Sequence, residues 1–261
     1  MEESLRVLVG LGLTGLLVML RLEAEQFGAA EYDEPVGGRR GSILRRLAWY
    51  VLGVAGVLAL LVVHPTAERD LFLQVGDRSG ILLAVIIGGV GVGQAIVLAF
   101  IHYRRLRLPA VASYPGGLLN EILTAFIDEA VFRGAVLGYL LWATTDAVAV
   151  GMISDGQASS IAILGSTVVY VLATRLGAPG RDKYMLLVAS LIGLIGGWAT
   201  LLTGGIGAAF LGHAVTRVAV FLTTGHAGQP PARGTEVEEV EQRRRTPEGW
   251  SVVDRSGVRD R

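Results

Sequence analysis

The chain alternates apolar runs of about twenty residues with short polar connections, and that length is what a helix needs to cross the hydrocarbon core of a bilayer. Apolar residues make up 52% of the chain and mean hydropathy is +0.53, more than a soluble domain of this size needs for its core. The pattern predicts an all-α polytopic membrane protein, a bundle of about seven transmembrane helices within residues 1–224. The spans are expected near 5–22, 47–63, 81–101, 118–142, 159–178, 184–202 and 206–223. The first is read as a retained span, because no small-residue cleavage site with a polar continuation follows it. Over 225–261 the composition turns to proline, glycine and charge, too poor in apolar residues to offset its ordering entropy; a disordered cytoplasmic tail is expected.

Orientation follows from the basic connections. Arg21, Arg39, Arg40, Arg45 and Arg46 lie between spans one and two, Arg104, Arg105 and Arg107 between three and four, and Arg175, Arg181 and Lys183 between five and six. The alternate connections hold Arg69 and Arg78. Cytoplasmic loops are enriched in such residues, so the N-terminus is expected outside and the C-terminus in the cytoplasm, with the bundle in the plasma membrane. There is no cysteine, which removes disulfides and thiolate zinc sites. Nothing in the sequence reads as a nucleic-acid surface. The glycines of "GGVGVGQ" lack the strand and aqueous helix start of a dinucleotide loop and are read as close-packing positions between helices.

The fourth span breaks the apolar rule. "LLNEILTAFIDEAVFRGAVLGYLLWA" carries Asp128, Glu129 and Arg133 near its centre, each costing about 2.5–3.5 kcal/mol at that depth. Glu129 and Arg133 are spaced i, i+4 and can pair along the helix. Asp128 points elsewhere and needs a partner or a water-filled cavity. Glu121 and Thr124 share its face, with Asn120 at the edge, so a polar stripe is expected from the cytoplasmic end to the midplane, drawn as a water path would be. Two later spans add polar faces: Ser166, Tyr170 and Thr174 on the fifth, His213 and Arg217 on the seventh. His64, His102 and His226 fall at span ends and read as interfacial residues.

The same residues carry a family resemblance. "DEAVFRGAVLGYLL" resembles the first signature of the CPBP intramembrane peptidases, the CAAX prenyl protease and bacteriocin-processing group, in which two glutamates precede two variable residues and Phe-Arg-Gly. "ASSIAILGSTVVYVLATRL" is similar to the second signature, an aromatic with a histidine four residues later. "TGGIGAAFLGHAVTRV" resembles the third, a Thr-Gly turn followed by His with Asn or Asp four residues on. The likeness spans about 114–223. It implies a membrane-embedded site that hydrolyses a peptide bond of a membrane-associated protein or peptide, with the first acid activating water and the histidines binding metal or orienting water and oxyanion. On this chain it assigns catalysis to Asp128, Glu129, Arg133 and His213, with His213 as the metal ligand if zinc binds.

Three positions depart from the pattern. Asp128 retracts the first carboxylate by about 1.5 Å. Thr174, four residues after Tyr170, stands where the second signature has histidine, and cannot replace an imidazole on zinc. Arg217 stands where the third has Asn or Asp. A cation close to Asp128 would hold it as a carboxylate, which weakens it as a base. The zinc ligand set is therefore incomplete, and an inactive pseudopeptidase acting as a membrane-embedded binding or scaffold protein is the alternative to a peptidase. A transporter would also place acids and arginines in the membrane, but no inverted repeat is visible.

Overall fold

The computed structural model describes residues 2–24, 26–27, 40–106, 108–109, 111, 114–176 and 183–225, and every regular element among them is helical. In chain order these are α1 Glu2–Leu22, α2 Arg40–Val63, the short α3 Ala67–Asp70, α4 Gly80–Tyr103, α5 Tyr114–Asp128, a π-helical segment Glu129–Val136, α6 Leu137–Ala149, α7 Asp155–Leu176, α8 Lys183–Thr203 and α9 Gly207–Thr224. Beyond Gly225 the tail expected over 225–261 lies outside the described residues, as do His226, Arg39, Arg107, Arg181 and the side chain of His102.

Among the described residues six helices are long and apolar enough to cross a membrane, and they coincide with six of the expected spans. The fourth, expected at 118–142, is different: α5, the π-helical segment and α6 follow one another without a break, and the charges interrupt the apolar run. Large apolar side chains such as Leu16, Val51, Ile81 and Leu172 are exposed. Facing lipid they carry no penalty, whereas every backbone polar group must be met internally, which only helices do within a single segment.

Small residues set the helix spacing. A Cβ built on Gly91 of α4 would lie 1.8 Å from Thr216 Oγ1 of α9, and one on Gly212 of α9 would lie 2.4 Å from Ile87 of α4. These helices approach so closely because those side chains are missing. At one end of the bundle the "TGGIG" turn before α9 is fastened to the loop after α3: Ile206 N–H donates to Phe72 O and Gln74 O at 3.1 and 3.0 Å, and Asp77 N–H donates to Thr203 O at 2.9 Å. Gly204 has φ of +70°, a conformation that glycine adopts without strain, so the chain reverses there.

Helix α1 runs antiparallel to α2 and is clamped near both ends. Arg6 Nε donates to Val63 O, and Trp49 Nε1 donates to Leu20 O, each at 2.9 Å. The buried core between α1, α2, α5, α7 and the π-helical segment is built on Trp49, Leu60, Ile127, Phe132 and Tyr170.

Gly91→Ala forces α4 off Thr216, and overpacking of this kind costs about 1–3 kcal/mol. Thermal unfolding in detergent will show a lowered Tm for it, while Gly89→Ala, which meets open space, will show none. His64, just past α2, is buried against Tyr139. Burial pushes its imidazole below the ordinary value of about 6.5, opposed by Asp70 and aided by Arg6. The unfolded chain therefore takes up this proton first as pH falls, so stability declines below about pH 6.5 until the folded imidazole also protonates. Tm measured against pH will show that decline, and His64→Gln will flatten it.

Candidate active site

The first acid of the signature, Asp128, ends α5, and Glu129 opens the π-helical segment. In that segment the backbone bonds run i→i+5, a wider ring than the α-helix uses and one found most often as a local bulge at functional sites. Asp128, Glu129 and Arg133 are all fully buried.

Each acid has its own cation. Arg21 of α1 donates from Nε to Asp128 Oδ1 at 2.7 Å. Glu129 Oε2 lies 3.5 Å from Arg133 Nε, an ion pair without hydrogen-bond geometry. Glu121 Oε2 of α5 lies 2.8 Å from Arg217 Nε of α9. Arg217 is therefore not the close partner of Asp128 that its position in the signature suggests; it acts on that carboxylate only at longer range. Arg21, counted above among loop cations, is 2% exposed inside the bundle.

The polar stripe of α5 is present, but it does not form the expected open path. Asn120, Glu121, Thr124 and Asp128 are buried, and three of them are tied to other helices. Asn120 accepts from the Tyr50 hydroxyl and donates to Glu121 Oε1 at 2.8 Å.

A second chain of contacts runs through the histidine. His213 Nδ1 is 2.7 Å from Glu129 Oε1, and its Nε2 is 3.4 Å from the Tyr170 hydroxyl. A carboxylate only accepts, so Nδ1 carries the proton in that bond. Tyr170 is held by its neighbours: Arg133 Cζ sits 4.1 Å above its ring, and Phe132 packs at 5.2 Å between centroids. Gly196 of α8 faces the Glu129–Arg133 pair: a Cβ there would make ordinary contact, 3.4 Å from Glu129 Oε2 and 3.5 Å from Arg133 Nε. Thr174, one turn beyond Tyr170 on α7, is buried, and its hydroxyl has no hydrogen-bond partner among the described residues.

Between α8 and α9 lies a recess of about 20 Å³, room for one water. Its walls are apolar, from Met185, Val188, Ala189, Ile192 and Val220. Its polar lining is Glu121, Tyr170, His213, Thr216 and Arg217. Asp128, Glu129 and Thr174 do not line it.

The donors do not fit a zinc centre. Among the described residues His213 is the one imidazole at the site, both carboxylates of the signature already face cations or the imidazole, and Thr174 offers no ligand. Among the described residues no three His, Cys, Asp or Glu side chains are grouped to hold a metal ion.

Residues 110–219 match the family model described as Rce1-like, Type II CAAX prenyl endopeptidase Rce1-like. The match contains the π-helical signature, Tyr170, Thr174, His213 and Arg217, and leaves out α1, α2 and α4. It bears out the resemblance to the CPBP peptidases at the level of the family. With the six apolar helices it identifies an integral membrane protein. No curated protein and no solved structure matched the chain.

The contact at Gly196 sets a size limit. Gly196→Ala makes ordinary contact and leaves Tm nearly unchanged, whereas the extra methyls of Gly196→Val push α8 away from the Glu129–Arg133 pair. The expected cost of the valine is about 1–3 kcal/mol, read from thermal unfolding.

Proposed function

We propose that this chain, with its Rce1-like segment over 110–219, is an intramembrane endopeptidase of the CAAX-protease type that hydrolyses a peptide bond of a membrane-associated protein or peptide. The reading rests on one observation: His213, held by Glu129, and Tyr170 line a recess that accommodates a single water. The lysine and arginine bias supports an N-terminus outside and a cytoplasmic C-terminus, in the plasma membrane. Removing Arg21 from that count leaves the bias unchanged, because the other cations of the same connection remain. The recess then lies in the cytoplasmic half, along the first turns of α8.

Glu129 accepts from Nδ1–H and fixes the tautomer, which leaves Nε2 of His213 as the base on the recess side. Water gives a proton to Nε2 as its oxygen attacks the substrate carbonyl carbon. The Tyr170 hydroxyl and the Arg217 guanidinium are the donors available to the oxyanion. Collapse of the tetrahedral species breaks the C–N bond, and Nε2–H returns the proton to the leaving amine. In this scheme Asp128, paired with Arg21, contributes charge and position, and no step passes through a metal.

A second reading has its own support. Among the described residues three acids are matched by three arginines at contact distance, an arrangement that also suits a purely structural ion network. The chain would then be an inactive member that binds or scaffolds a membrane partner.

The two readings separate in an assay of the purified protein with hydrophobic and prenylated peptides. For the peptidase, His213→Ala lowers turnover by at least about a hundredfold and Glu129→Gln also lowers it strongly. Wild-type turnover no greater than that of His213→Ala would sink the catalytic reading and leave the structural one.

A further inference from the structure

We infer that α1, which lies outside the family segment, is a working part of the site, and that Arg21 is the positioning residue through which it acts: its guanidinium keeps Asp128 ionised and in place. A long cation in the last turn of a spanning helix ordinarily extends outward to the interface. Arg21 does the opposite. It is 2% exposed and donates to Asp128 Oδ1 at 2.7 Å. Side chains on a helix lean toward its N-terminus, so from the last turn of α1 the guanidinium is carried back into the bundle.

The register of α1 is fixed at both ends of the helix. Trp49 holds Leu20 O, Arg6 holds Val63 O, and the Tyr139 hydroxyl donates to Val7 O at 3.1 Å. A Cβ on Gly10 would lie 2.5 Å from that hydroxyl, so a side chain there would displace the Tyr139 hydroxyl from Val7 O or shift α1. Among the described residues Asp128 has no other close partner: its Oδ2 makes no hydrogen bond, and the remaining charges that face it, Arg217 and His213, act at longer range. Without Arg21 the centre would hold the acids Glu121, Asp128 and Glu129 against Arg133 and Arg217, a net negative charge in a buried place. The least costly way to restore neutrality is for Asp128 to take up a proton. The seating of α1 thereby sets the charge state of the residue next to Glu129.

The test uses the full chain in nanodiscs, with infrared spectra of aspartate-labelled protein and thermal unfolding, and needs no turnover, so it stands or fails separately from the peptidase reading. Arg21→Met is expected to show the carbonyl stretch of a protonated carboxylic acid, absent from wild type and from the Arg21→Met/Asp128→Asn double variant. Its Tm falls by several degrees, the double variant recovers most of that loss, and Arg21→Lys shows neither the band nor the full loss. If Arg21→Met alone cannot be purified while the double variant can, the coupling is equally established. The inference is overturned if no such band appears in Arg21→Met, or if Arg21→Met lowers Tm as much in the Asp128→Asn background as it does beside the native acid.

Discussion

Lipid tolerates buried charge only when it is neutralised, and here Glu121, Asp128 and Glu129 are opposed by Arg217, Arg21 and Arg133 at 2.8, 2.7 and 3.5 Å. Any one of these groups alone at that depth would cost about 2.5–3.5 kcal/mol on insertion scales, and breaking a buried pair costs about 3–5 kcal/mol because it strands the remaining charge. The Arg21–Asp128 and Glu121–Arg217 pairs therefore tie α1 and α9 to α5. The small-residue contacts provide the space for this: Gly91 and Gly212 bring α9 against α4.

The histidine sits where these two kinds of packing meet. His213 is on α9, whose start is fixed by the backbone bonds between the Thr-Gly turn and the loop after α3. That fastening sets how far along the bundle the imidazole lies, and Glu129 then sets how it turns. A side chain positioned by backbone bonds at the helix start and by a carboxylate at the ring has little freedom left. Such restriction favours either a precise reaction centre or a stable ion network, and the one-water recess that His213 lines is what tilts the reading toward the former.

Much of this can be read from the sequence because lipid imposes simple rules. Six spans follow from apolar length alone, and the convergence of the fourth, fifth and seventh on one polar centre follows from the placement of Glu129, Tyr170 and His213. The π-helical turn cannot be read in this way, since the i, i+4 spacing of Glu129 and Arg133 looks like ordinary α-helix. The partner of Asp128 escapes as well, because Arg21 lies at the end of an apolar run, where a cation usually belongs to a loop. A signal is present nonetheless. Counting Glu121 with Asp128 and Glu129 gives three acids against Arg133 and Arg217, so a third buried cation is required, and no spacing rule says which helix supplies it.

The departures from the family signature form a set rather than independent losses. Arg217 in place of a small amide or acid would be an unpaired cation in the bundle, and Glu121, two turns before Asp128 on α5, supplies its counter-charge. Asp128, shorter than glutamate, is met by an arginine that reaches it from another helix. Thr174 in place of an imidazole adds no charge, and so leaves the balance intact. Each change is therefore consistent with a centre whose sum of charges is kept while the proposed chemistry moves from metal ligation toward a carboxylate-oriented imidazole. A chain losing its site by drift would be under no such constraint beyond the cost of burying charge, and that cost is lowest when the ionisable residues are simply replaced by apolar ones. Keeping all six, matched pair by pair, suits a reaction centre and a structural ion network alike, and the recess lined by His213 and Tyr170 is what favours the proposed chemistry.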